Sequence, residues 1–177
     1  MKVIEPGQDR KIAALKSSFH VHFYFGGKMN NKYMNVAFEE AQKSFDLNEV
    51  PIGAVIVKNN KIIARAHNEK ENQKCSIFHA EITAIKKATE IVNNWRLEDC
   101  DIYITLDPCP MCASAIKQSR IKNVYSAMNN IDENNIKIIS KIFEKDKTNP
   151  SVNFITNLDV DKSKKILNDC FKKQRIK

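Results

Sequence analysis

Two short motifs constrain this chain more than any other feature: His79-Ala80-Glu81, and further on Pro108-Cys109-Pro110-Met111-Cys112. Each opens a helical pattern, over residues 79–92 and 109–119, and a strand pattern at 101–106 lies between them. Cys109 and Cys112 are spaced so that both thiolates can meet one ion at a helix N-terminus. Exposed N–H groups and the helix dipole favour thiolate over thiol there. His79 adds an imidazole nitrogen, so one ion held by all three residues brings two helix starts together. Three protein ligands leave one tetrahedral position for water, the arrangement of a catalytic zinc rather than a structural one. Glu81 can then stand beside that water without ligating the ion. Its carboxylate can take a proton, hand it to a ring nitrogen and later protonate a leaving amine. Those transfers, with zinc lowering the pKa of water from 15.7 to about 7, amount to hydrolytic deamination of an amidine-like C–NH2 group. The rival reading is a closed Cys3His structural site, with Cys75 supplying the fourth ligand from the loop before the helix. That arrangement leaves Glu81 without a purpose.

Around the motifs the elements alternate. Tyr33, Val36, Ala37, Ala41 and Phe45 recur at helical spacing, which predicts a helix over 32–46 that ends before Pro51. Residues 53–57 read as a buried strand, Asn59-Asn60 as a hairpin turn, and 61–67 as the returning strand. A fourth strand is expected at 123–127 and a helix at 159–175, whose apolar face is Ile166, Leu167, Cys170 and Phe171. Between them, a helix around 136–143 flanked by loops is the reading of a stretch rich in Asn, Lys and Ile. The order αββαβαβ, with one hairpin and later crossover helices, implies an α/β fold: a mixed central sheet with helices on both faces, in three layers.

The chain has 177 residues, enough for one domain with a real core, and its 42% apolar and 28% charged content argues against disorder throughout. Residues 29–177 form the expected domain. Residues 1–28, with the aromatic run around His20 and His22, read as a poorly ordered extension or an upstream translation start rather than a metal site. No stretch reaches the length of a membrane span, and the polar beginning does not read as a secretory signal, so a cytoplasmic protein is expected. Five unevenly placed cysteines, at 75, 100, 109, 112 and 170, are not a disulfide framework. Cys100 and Cys170 fall on apolar faces as core thiols. A net charge of +8 favours a polyanionic partner.

The chain resembles the cytidine deaminase-like superfamily and, within it, the bacterial tRNA-specific adenosine deaminases. The resemblance rests on the two zinc motifs and on Glu49-Val50-Pro51-Ile52-Gly53-Ala54-Val55, the stretch from Ile62 to Asn68, Arg96-Leu97-Glu98-Asp99-Cys100 and Ser119-Arg120-Ile121. The base-flipping chemistry of that family uses the same signature. The resemblance implies one zinc per chain on His79, Cys109 and Cys112, with Glu81 as proton shuttle. It further implies a nucleoside pocket formed by Asn68, Val50, Ala80 and Pro108, a homodimer, and a tRNA substrate touched by Asn129 and by Lys172, Lys173 and Arg175 of the basic tail. The chain departs from the family pattern at Asp107, where Glu is usual, and at Ile77-Phe78, where Thr-Ala is usual. It also has no glycine after Gly53, so the family's glycine-rich loop after the fourth strand is missing. That loss gives weight to a small-molecule deaminase of guanine, cytosine or a nucleotide as an alternative. A third possibility, a catalytically silent nucleic-acid-binding module, is opposed by the intact Glu81.

Overall fold

The computed structural model describes residues 13–14, 21–23, 32–128 and 133–175. Along it run β1 (Ala13–Ala14), β2 (Val21–Phe23), α1 (Lys32–Asp46), β3 (Gly53–Lys58), β4 (Lys61–His67) and α2 (Ala80–Val92). These are followed by β5 (Cys100–Ile104), α3 (Pro110–Gln118), β6 (Asn123–Ser126), α4 (Glu133–Phe143), β7 (Asn153–Thr156) and α5 (Val160–Arg175). The strands make one mixed sheet in the order β1-β2-β7-β6-β5-β3-β4. The β3–β4 hairpin turns through Asn59 and Asn60, both left-handed with φ of 49° and 60°, the twist that a tight hairpin needs. β5 lies antiparallel to β3, and β5, β6 and β7 run parallel to one another.

Alternation along β3 divides the interior into two cores. Ala54 and Ile56 pack with Ala80, Ala84, Ala113, Ile116 and Ile139, on the face covered by α2, α3 and α4. Val55 and Val57 turn the other way, onto Met34, Ala37 and Phe38 of α1. Helices therefore cover both faces, as the order of elements implies. α1 can approach β3 closely because position 53 is glycine: a Cβ there would lie 1.9 Å from the Ala37 carbonyl oxygen and 2.6 Å from the Ala41 nitrogen.

Two features differ from the expected element order. β7 is an additional strand, with Phe154 fully buried at its centre. At its outer edge lies β2, parallel to it, and β1 pairs antiparallel with β2, so part of the N-terminal extension joins the sheet. His22 lies in β2, opposite Ile155, whereas His20 lies outside the described residues.

His79, Cys109 and Cys112 lie near the far end of the parallel strands. The loop leaving β5 is held there by Ala127 N–H donating to the Ile104 carbonyl at 2.9 Å and Asp107 N–H donating to the Met128 carbonyl at 3.0 Å. α5 and the end of β7 reach the same loop from behind: Ser163 Oγ of α5 donates to the Thr105 carbonyl at 2.6 Å, and Thr156 Oγ1 of β7 donates to Asp107 Oδ1 at 2.8 Å. The C-terminal helix is thus distant from the second metal motif along the chain but starts beside it in space.

Candidate active site

α2 and α3 both begin with a residue whose side chain does not cap its helix. His79 and Cys109 occupy the N-cap positions with extended backbone, and neither makes a side-chain capping bond. Ser, Thr, Asp or Asn usually sits there to satisfy a free N–H. Here the two side chains turn toward each other instead. His79 Nδ1 lies 3.8 Å from Cys109 Sγ and 3.6 Å from Cys112 Sγ, and the three ligand atoms all fall within 4.8 Å of one another. This group could hold one metal ion. Cys75 is not part of it, so the closed four-ligand arrangement is not assembled.

The thiols are electrostatically unequal. A hydrogen bond from Cys112 pulls the Cys109 thiol down to about 5 against the cost of burial, and the backbone N–H groups at the start of α3 add to this. Cys112, which gives up that hydrogen bond and is buried, is pushed upward. The start of α3 therefore stabilises one thiolate even without a cation, and a cation would favour the second.

Glu81 lies in the first turn of α2 and is 3% exposed. Burial pushes its carboxyl up to about 7; the Cys109 charge pushes the same way and His79 opposes it. Its Oε2 is buried without a hydrogen-bond partner among the described residues. An orphaned carboxylate oxygen next to a metal-ligand group is where a water or a substrate amine would complete the structure.

The other expected residues divide by position. Ala80, fully buried, lies between His79 and Glu81, and Pro108 is buried just before Cys109. Asn68 is 5% exposed and follows β4 directly; its neighbour Glu69 donates through N–H to the Phe78 carbonyl at 3.1 Å, which holds this loop against the residue before His79. Val50 is exposed on the turn between α1 and β3. Asn129 lies outside the described residues. Lys172, Lys173 and Arg175 are exposed on the last turn of α5, where Lys173 Nζ sits 4.8 Å over the Phe45 ring of α1. Sequence reasoning missed Glu49, which is 1% exposed and accepts hydrogen bonds from Asn68 and Asn72. It opens the stretch Glu49 to Val55 that carries part of the resemblance, but nothing local marks its hydrogen-bond partners, which are 19 and 23 positions away.

Two open depressions lie elsewhere. One, about 440 Å³, is lined by Lys117, Lys141 and Asp146; the other, about 660 Å³, by Arg96, Arg120 and Lys122 at the opposite end of the parallel strands. Neither contains the His79, Cys109 and Cys112 group. Ligand chemistry locates the site better than concavity does.

The chain is similar in sequence and structure to known deaminases. A tRNA-specific adenosine deaminase of Bacillus subtilis is 51% identical over 92 residues, a stretch that covers 52% of this chain and 57% of that relative. A solved structure from studies of A-to-I editing by tRNA:A34 deaminases at the wobble position of transfer RNA superimposes with a TM-score of 0.70 at 32% identity, covering 76% of this chain and 98% of that one. A guanine deaminase structure from Bacillus subtilis gives a TM-score of 0.55 at 34% identity, covering 64% and 73%. The MafB19-like deaminase model matches residues 29–175, which take in the metal-ligand group, Glu81 and every helix from α1 to α5, and the chain belongs to that family.

Proposed function

We propose that this chain is a zinc-dependent hydrolytic deaminase that converts adenosine to inosine in the anticodon loop of a tRNA. The observation that carries the chemistry is Glu81: a buried carboxyl pushed up to about 7, with one oxygen unpartnered, beside a His/Cys/Cys group. The donor set suits zinc. Bonds of about 2.0–2.1 Å to nitrogen and 2.3 Å to sulfur at a tetrahedral angle place N and S about 3.6 Å apart. The separations here are 3.6 and 3.8 Å. His79, Cys109 and Cys112 would hold the ion. When bound, it supplies Lewis-acid chemistry that makes water a competent nucleophile near neutral pH.

The protein's own groups do the rest. Asn68, with Val50, Ala80 and Pro108, would seat the extruded base with its amino-bearing carbon over the metal-ligand group. Glu81, matched in proton affinity to neutral solution, accepts a proton as water attacks and delivers one to the ring nitrogen. It then takes the remaining proton of the added hydroxyl and passes it to the departing amine, so ammonia leaves and a carbonyl remains. Burial keeps this carboxyl from competing solvent, which is what raises its proton affinity.

The tRNA substrate draws support from the similarity to tRNA deaminases, from the net charge of +8, and from the exposed cations at the end of α5. A homodimer in the cytoplasm completes the reading. Among the described residues no helix is long and apolar enough to cross a membrane. A free-base deaminase acting on guanine is the second reading, favoured by the guanine deaminase structure at 34% identity. One experiment separates the two: zinc-loaded protein given total tRNA, free adenosine, guanine and cytidine in parallel. Inosine in tRNA, with free bases untouched, is the expected outcome. Deaminated guanine with unmodified tRNA would replace the first reading by the second.

A further inference from the structure

Glu49 is buried with no ion pair among the described residues, and both of its oxygens are committed. Oε2 accepts from Asn68 Nδ2 at 3.1 Å, and Oε1 accepts from the Asn72 backbone N–H at 2.7 Å. The Asn68 backbone is pinned as well: its N–H donates to the Ile52 carbonyl at 3.0 Å, and its carbonyl accepts from Ser44 Oγ at 2.9 Å. One freedom remains to this side chain, the turn-over of its carboxamide. A carboxylate presents only acceptors, so it admits the NH2 end and excludes the oxygen end. With Asn68 only 5% exposed, water cannot compensate for the reversed orientation.

We infer that Glu49 is a positioning residue that fixes the Asn68 carboxamide in one orientation, so that Oδ1 and the second Nδ2 hydrogen form a preset acceptor–donor pair for the nucleobase. This rests on the proposed deaminase reading, in which Asn68 meets the base. The carboxylate is needed because it faces two donors at once. In Glu49→Gln the amide oxygen can serve only one of them. Its NH2 then either opposes the Asn72 N–H or forces Asn68 to turn over.

The test is a set of substitutions read by KM, kcat, zinc content and melting temperature. Glu49→Gln should raise KM about tenfold, the worth of one charge-assisted hydrogen bond, with kcat and zinc content nearly unchanged. In an Asn68→Ala background the same change should do nothing further to KM, because the group through which it acts is gone. The exchanged pair Glu49→Gln with Asn68→Asp restores a hydrogen bond of reversed direction. It should recover the melting temperature lost in Asn68→Asp alone but not KM, since position 68 then offers acceptors only. A purely structural Glu49 would give equal KM effects in both backgrounds, or a joint loss of kcat and zinc, and either result overturns the inference. Should the parent deaminate none of the substrates, the proposed function fails, and exchange of the Asn68 side-chain amide protons decides the positioning separately. Slow exchange in the parent and fast exchange in Glu49→Gln supports it; equal exchange overturns it.

Discussion

Glu81 and Cys112 are 3% and 0% exposed at the starts of two helices, while Lys172, Lys173 and Arg175 lie exposed on the last turn of another. The contrast follows from what each region would do under the proposed function. Moving a proton at neutral pH requires a carboxyl whose affinity has been raised, and burial is what raises it. Gathering three ligands around one ion requires fixed directions, which two helix starts and the end of a parallel strand pair provide. Attracting a polyanion requires neither, because long-range charge acts through solvent and tolerates side-chain motion. Under that function one region depends on the directions of its side chains, and the other on its number of cations.

The two regions should respond to substitution in opposite ways. The largest effect belongs to the ligands. Cys112→Ala should lose bound metal altogether, and turnover with it by about 10^3-fold or more, reflecting the several kcal/mol that a Lewis acid supplies. Metal analysis by atomic emission alongside initial rates checks this; full activity with metal absent would remove the metal from the account. Neutralising Lys172, Lys173 and Arg175 together should have a smaller effect of another kind. RNA affinity should fall and its logarithmic salt slope should flatten by roughly 2 to 3, with the single-turnover rate at saturating RNA unchanged. An unchanged slope would make the end of α5 an ordinary solvated surface. A reduced rate at saturation would mean that the tie from Ser163 to Thr105 carries changes in α5 to the loop before Cys109.

The smallest effect lies outside both regions. Burial opposes ionisation of Glu40, but hydrogen bonds from Lys43, His67 and Arg65 outweigh it and hold the carboxyl below its ordinary value. A depressed carboxyl contributes stability above the normal carboxylate range and loses it as pH falls through the folded-state value. Between neutral solution and acid below the ordinary carboxylate range the parent should therefore lose more stability than Glu40→Gln. The difference should be about 1 kcal/mol, discounted because Arg65 is half-exposed. Denaturant midpoints at the two pH values measure it, and parallel loss in both proteins would show the network to be neutral.

What could be read from the sequence follows the same division. His79, Glu81, Cys109 and Cys112 form local patterns at helix starts, and chemistry restricts what such spacing can do. The hairpin at Asn59-Asn60 is also local and appears as expected, whereas of the stripe expected on α1 Ala37 and Ala41 are buried, Tyr33, Val36 and Phe45 are half-buried, and Met34 and Phe38 complete the buried face. The helix expected around 136–143 is α4, begun slightly earlier at Glu133. β7 was not legible because it has only four residues, and its apolar pair, Phe154 and Ile155, point to opposite faces. Its strand character comes from the neighbouring β6 and β2, which no short window contains. The tie between the start of α5 and the loop after β5 was not legible for the same reason, since Ser163 meets Thr105 across 58 positions.

The most direct measurement compares the parent with Glu81→Gln, both loaded with metal and both saturated with an adenosine-containing anticodon stem–loop, in a single turnover. The parent should release ammonia and form inosine in equal amounts. Glu81→Gln should keep its metal and its RNA affinity and lose about 10^2- to 10^4-fold in rate. A variant that deaminates as fast as the parent, with metal and RNA binding intact, would contradict the assignment of the proton transfers to Glu81.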